Sequence, residues 1–170
     1  MRALVVVESM FGNTVDVGQA VADGLSSRMQ VDLVPVTEAP AQVDPEVRLL
    51  VVGGPTHAFG LSRESTREDA VRQGGHPSGG PDTGLREWLA TLAPTSSGAA
   101  SAAFDTRVKK RGVPGSAARG AEKRLAKLGY AQGPTVSFWV NGVSGPLLAG
   151  ELDRARAWGE ELAEQVCPPL

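Results

Sequence analysis

Six consecutive residues, Ser9-Met10-Phe11-Gly12-Asn13-Thr14, carry the donors that an anion site needs. Ser9 and Thr14 bring hydroxyls, Asn13 an amide, and Gly12 a point where the backbone can come close to a ligand. They follow the apolar run Ala3-Leu4-Val5-Val6-Val7 and Glu8, and they lead into a helical pattern marked by Val17, Val21 and Leu25. A strand feeding such a turn at a helix N-terminus presents backbone N–H groups that lack intrahelical partners, and the helix dipole adds partial positive charge. No Lys or Arg stands in the loop, so the design suits a phosphate held by neutral donors. The Walker lysine and the spaced-glycine dinucleotide fingerprint are both absent, which leads away from an NTPase and from a nicotinamide-binding first turn.

Two more segments have the composition of ligand loops. One is Gly53-Gly54-Pro55-Thr56-His57-Ala58-Phe59-Gly60, after Leu49-Leu50-Val51-Val52. The other is Phe104-Asp105-Thr106-Arg107, after Ala99-Ala100-Ser101-Ala102-Ala103. The elements that position them read as alternating strands and helices. Short apolar runs predict strands over 3–7, 31–36, 48–53, 99–104 and 134–140, several apolar on both faces as a covered parallel sheet requires. Helical periodicity predicts helices over 14–28, 83–92, 116–129 and 149–166. Their inward faces are Leu85, Trp88, Leu89 and Leu92; Ala118, Ala121, Leu125 and Leu128; and Leu152, Ala155, Gly159, Leu162 and Val166. Asp82 and Ser116 are candidate N-caps and Gly129 a C-terminal stop. Repeated β–α alternation predicts an α/β fold of three layers, a doubly wound, five-stranded parallel sheet of order 2-1-3-4-5. In that order strands one, three and four are neighbours, so the three loops border one crevice at the carboxyl ends of the strands.

One stretch breaks the alternation. Between strand three and the helix at 83 lie a polar segment, in which Ser65 through Arg72 predicts a short helix, and the tract Gly74-Gly75-His76-Pro77-Ser78-Gly79-Gly80-Pro81, expected to be mobile. An insertion of this length beside the second loop serves as a lid or docking element, or is simply solvated.

Bulk composition narrows the classes. A length of 170 residues predicts one domain over 1–170, with neither linker nor repeat, and 41% hydrophobic with 21% charged residues is ordinary for a globular chain. A net charge of −2 favours neither nucleic acid nor membrane, and the first apolar run, stopped at Glu8, is too short for a signal peptide or a membrane span. One cysteine, Cys167, rules out an internal disulfide and is expected as a free thiol in a reducing cytoplasm. Two histidines and that cysteine, far apart in sequence, predict no metal site. No serine with a paired histidine and acid stands at recognisable spacing, so no catalytic residue is assigned.

On these motifs the chain resembles a flavodoxin, over nearly its full length. Its first loop fits the family pattern of a hydroxyl residue, two free positions, a small residue, one free position and threonine. That loop wraps the 5′-phosphate of FMN in the family, so the resemblance implies this role for Ser9, Met10, Phe11, Gly12, Asn13 and Thr14. It implies ring-binding roles for Pro55, Thr56, His57, Ala58, Phe59 and Gly60, and for Phe104, Asp105, Thr106 and Arg107. The Pro-Thr-His-Ala-Phe-Gly run is also similar to the Pro-Thr-x-Phe-Gly loop of small FMN-dependent quinone reductases, where an aromatic ring offers a flat stacking surface. The chain departs from the pattern at Val7, where an aromatic is preferred, and at Gly18, where alanine is. The tryptophan and tyrosine that commonly sandwich the flavin ring are missing from the ring loops.

Charge adds two expectations. His57 and Arg107 fall on the ring loops, where a cation would favour the reduced, anionic flavin and make its potential less negative; Arg107 is alternatively a surface residue or paired with Asp105. Arg107, Lys109, Lys110, Arg111, Arg119, Lys123, Arg124 and Lys127 form a basic block whose one acid is Glu122. This block is a solvated helix face, or it docks an acidic redox partner or a nicotinamide phosphate. The resemblance implies an FMN-binding carrier that passes one or two electrons between redox partners, a reductase or an acceptor. The alternatives are an NAD(P)H-dependent FMN quinone reductase and a cofactor-free interaction domain.

Overall fold

Valine-rich runs with apolar side chains on both faces have nowhere to go but the middle layer. In the computed structural model, which describes residues 1–77 and 80–169, five strands form one sheet: β1 (Arg2–Val7), β2 (Gln30–Pro35), β3 (Val47–Pro55), β4 (Ala100–Val108) and β5 (Thr135–Val140). All neighbouring pairs are parallel and the order is β2-β1-β3-β4-β5. The helices are α1 (Asn13–Leu25), α2 (Glu64–Arg72), α3 (Leu85–Thr91), α4 (Ala117–Lys127) and α5 (Glu151–Val166). Among the described residues no helix is long and apolar enough to cross a membrane.

The strand period of two sorts β1 between two cores. Leu4 and Val6 join Leu50, Val52, Leu85, Trp88, Leu89 and Leu125 beneath α3 and α4. Ala3, Val5 and Val7 join Val17, Leu25, Phe104, Phe138, Trp158 and Leu162 beneath α1 and α5. In the second core Phe104, Phe138 and Trp158 meet edge to face, with centroids 6.0–6.2 Å apart, the arrangement that ring quadrupoles favour. The two departures at Val7 and Gly18 are one packing exchange. A Cβ on Gly18 would lie 2.7 Å from Val7 Cγ1, so the branched residue at 7 needs the missing side chain at 18.

Four expectations need correction. Strands β3 and β4 run further than the apolar runs suggest, so Gly53-Gly54-Pro55 and Phe104-Asp105-Thr106-Arg107 are strand, paired Gly53–Phe104, Gly54–Asp105 and Pro55–Thr106. Polar residues continue the strand because their side chains find partners inside the fold, and Gly53 is required because the Phe104 ring occupies the place of its Cβ, at 2.0 Å. The cap of α3 is Gly84, not Asp82. There the first N–H of the helix, on Leu85, donates to the buried Glu8 carboxylate at 2.6 Å, and a Cβ at 84 would fall 2.4 Å from that oxygen. Leu152 is 45% exposed, and the buried stripe of α5 starts instead at Glu151, which accepts the Trp139 N–H, and includes Trp158. Helices α1 and α4 are shorter than their periodicity, closing at Leu25 and Lys127. Ser116 does cap α4 by accepting from the Arg119 N–H, and Gly129 follows that helix at φ +87°.

Candidate functional site

At the carboxyl end of the sheet, β1, β3 and β4 deliver their following residues to one crevice. It is lined by Ser9, Met10, Phe11, Asn13 and Thr14, by Pro55, Thr56, His57 and Ala58, and by Thr106, Arg107 and Val108, with Val140, Gly142 and Val143 from beyond β5.

The first wall is the turn into α1. Gly12 sits at φ +89°, a left-handed conformation that costs another residue about 1–2 kcal/mol, and no Cβ neighbour lies within 4 Å of it. As N-cap it contributes no side-chain hydrogen bond, so the opening N–H groups of α1 are not satisfied by a cap. The Gly12 N–H itself donates to Ser9 Oγ at 3.0 Å, which closes the loop on itself. The Thr14 and Thr106 hydroxyls meet at 2.8 Å, tying the helix start to β4. Asn13 Nδ2 donates to the Ser144 carbonyl at 3.0 Å, drawing the loop after β5 over the same helix end. The donor set is neutral, as the sequence implies, and its chemistry fits a phosphate ester.

The second wall is assembled by tertiary contacts. Asp105 is fully buried, and its Oδ2 accepts from Thr56 Oγ1 at 2.9 Å, Ser116 Oγ at 2.6 Å and the Ala118 N–H at 3.1 Å. One carboxylate oxygen thus joins the loop after β3, the strand β4 and the start of α4. His57 and Gly60 exchange both backbone hydrogen bonds, at 2.9 and 3.0 Å, around Ala58 (φ +44°) and Phe59 (φ +73°). Two consecutive residues with side chains at positive φ make this a strained two-residue turn, which holds Phe59 61% exposed.

Arg107 lines the crevice, and its guanidinium is anchored to the loop after β4. Nη1 donates to the Gly115 carbonyl at 2.6 Å and Nη2 to the Val113 carbonyl at 3.1 Å. A Cβ on Gly115 would fall 1.9 Å from the Phe59 carbonyl, so Arg107 braces the loop on which the Phe59 turn rests. Burial, and then the nearby Arg67 guanidinium, push His57 below the ordinary imidazole range, which favours its uncharged form. Of the remaining expected residues, Phe104 is buried in the core under α1 and α5 rather than in the crevice, and Phe59 and Gly60 follow the lining residue Ala58 without lining the crevice themselves.

The insertion is bound to the first wall. The predicted helix is α2, and beyond it the His76 N–H donates to the Met10 carbonyl at 2.7 Å while Gly75 packs on the Phe11 ring. Ser78 and Gly79 of the glycine tract lie outside the described residues. Beneath, a buried polar group joins insertion to sheet. Glu8 accepts from Ser62 Oγ at 2.5 Å, and fully buried Arg67 donates to Ser62 Oγ at 2.8 Å, to the Pro81 carbonyl at 2.6 Å and to Glu87 Oε1 at 2.6 Å. Burial raises the Glu8 carboxyl above its usual range, against the opposing pull of Ser62, the Leu85 N–H and Arg67.

Sequence reasoning missed this group and the β5 loop. Glu8 breaking an apolar run was a visible signal; Arg67, in a polar helix, gave none. The Gly142 to Pro146 turn composition at the end of β5 could have added the fourth loop.

No family model and no curated protein matches the chain. Solved structures do. A flavodoxin of Streptococcus pneumonia TIGR4 superposes with TM-score 0.68 at 19% identity, covering 98% of this chain and 100% of that one. Oxidised flavodoxin 1 from Bacillus cereus gives 0.66 at 14% identity, over 96% and 98%. A flavodoxin, WrbA-like protein from Agrobacterium tumefaciens gives 0.58 at 16% identity, over 97% and 96%. With the strand order and the crevice at the carboxyl ends of β1, β3 and β4, these likenesses show that the chain has the flavodoxin-like fold.

Proposed function

We propose that the crevice binds FMN without a covalent bond and that the protein carries electrons, one or two at a time, between redox partners. The observation that carries this reading is the turn at Gly12: a left-handed N-cap without a side-chain cap, opening α1 toward the crevice between Asn13 and the Thr14–Thr106 hydroxyl pair. A phosphate there would take the opening N–H groups of α1 and sit at the positive end of the helix dipole. Pro55, Thr56, His57 and Ala58 on one side, with Thr106 and Arg107 on the other, would flank the ring. The bound flavin would supply the redox chemistry. The chain would position it, hold neutral His57 beside it and limit water through the Phe59 turn.

The reading is tested by incubating the purified protein with FMN, removing free ligand and recording the visible spectrum. A stoichiometric yellow complex is expected, reduced only when a separate reductase is supplied. Steady-state NAD(P)H oxidation by the complex alone, with a quinone, would transfer the assignment to a reductase. A colourless protein would end it.

A further inference from the structure

The charge of this chain is divided between two halves of the fold. Residues 106–150, which make the end of β4, α4, β5 and their loops, hold eight Lys and Arg and a single acid, Glu122. The rest of the chain holds nine Lys and Arg against eighteen Asp and Glu. A net charge of −2 therefore conceals a stretch of +7 beside a remainder of −9. The one acid does not soften the positive face. Glu122 is 2% exposed and turned inward, accepting from Ser101 Oγ at 2.7 Å and the Gly133 N–H at 3.0 Å. Among the described residues, none of the eight cations is in a direct ion pair; Lys109 alone lies near enough to a carboxylate, Glu151, to act on its charge.

Placement gives the division a use. In the sheet order, β5 is the edge strand with β4 beside it, and the crevice opens against this side through Arg107, Val108 and Val143. Val108 and Val143 are 41% and 61% exposed, an apolar rim beside the basic flank. On the edge itself, half-buried Trp139 lies in a groove with Arg107, Arg119 and Arg154, the last ion-paired with Glu151, and an aromatic beside unpaired arginines such as Arg107 and Arg119 is what anchors protein interfaces.

We propose that this β4–α4–β5 edge is the docking face for an acidic redox protein, one carrying negative charge around its own electron-transfer centre. The electron-transfer role rests on the flavin reading above; the docking face does not. The cations would steer the partner to the side of the crevice where the rim is apolar, raising encounter rate more than affinity.

The test uses charged redox probes and a polyanion. Flavin-loaded, chemically reduced protein is mixed rapidly with ferricyanide, an anion, or with hexaamminecobalt(III), a cation. The ferricyanide rate is expected to fall about tenfold between about 10 and 300 mM salt, with the cobalt rate flat or rising. Lys109→Glu, Lys110→Glu and Arg111→Glu together should exchange the two behaviours and leave FMN quenching intact. A salt dependence that follows the overall charge of −2, with the cation favoured at low salt, would overturn the proposal. The face is also read without flavin. Polyglutamate added to 15N-labelled apoprotein should shift amides between residues 107 and 127 and at Trp139. Shifts spread over the whole molecule, or tighter binding of a single-stranded oligonucleotide of equal charge, would contradict it. Failure of FMN to bind, with these shifts present, would remove the flavin reading and keep the face.

Discussion

At one end of the crevice, five residues of one short stretch, Ser9, Met10, Phe11, Asn13 and Thr14, form the wall; at the other, Thr56, His57, Thr106 and Arg107 come from separate strands and meet only after folding. The first end depends on local geometry, a left-handed Gly12 and an uncapped helix. The second depends on hydrogen bonds across the fold, above all the three received by Asp105 Oδ2. On the proposed reading, a ligand with a phosphate and a flat ring would meet a preformed anchor and a brace that is only as firm as its buried partners. Damage should separate the two ends.

The largest effect is expected from Asp105→Ala. It removes the shared acceptor and leaves the Thr56 and Ser116 hydroxyls and the Ala118 N–H to find others, at a cost of about 3 kcal/mol. For a chain of this size that is a fall of roughly 10 °C in Tm, read by thermal denaturation. Flavin affinity should fall with the loosened ring side, while the phosphate keeps its preference.

Gly12→Val should act on the other end. A branched residue forced to φ +89° costs about 2 kcal/mol and moves the opening N–H groups of α1, so FMN affinity should drop by about a hundredfold. Titration by fluorescence quenching measures this. An unchanged affinity would mean that the phosphate lies elsewhere.

Glu8→Gln probes the buried group behind both ends. Because burial raises the folded-state pKa of Glu8 above the ordinary 4.5, the folded protein binds the extra proton. The resulting stability is full below about 4.5 and is lost as pH rises through the folded value. The wild-type advantage over the glutamine variant should therefore shrink as pH is raised from 4 toward 8, in melts recorded across that range, by on the order of 1 kcal/mol. A constant difference would show that Glu8 has the same pKa folded and unfolded, so that burial does not shift it.

Ala58→Gly should give the smallest change. Relief of the positive φ at the turn is partly offset by greater unfolded-state freedom, leaving a gain of about 0.5 kcal/mol with little effect on FMN affinity.

The contrast also explains what could be read from the chain alone. Alternating apolar runs specify the sheet and its covering helices, and the Ser9–Thr14 stretch declares itself because all its parts are adjacent. The ends of β3 and β4 did not, since Asp105 and Thr106 look like loop residues until Thr56, Ser116 and Thr14 are known to receive them. Phe104 reads as a ring contact by position, yet it fills the space left by Gly53. Arg107 and His57 promised positive charge at the ring. Arg107 keeps its charge but is held on the carbonyls at 113 and 115, and burial disfavours the charged form of His57. For Thr106 and Asp105 the deciding partners, Thr14 and Thr56, lie 92 and 49 residues away in sequence.

The central claim is that the turn at Gly12 grips a phosphate with uncharged donors. Parallel titrations with FMN and with riboflavin, which has the same ring and lacks the phosphate, test it most directly. The account predicts one FMN per chain, held about a hundredfold or more tighter than riboflavin, with little loss of that preference in salt. Equal affinity for the two, or no quenching of either, would contradict it.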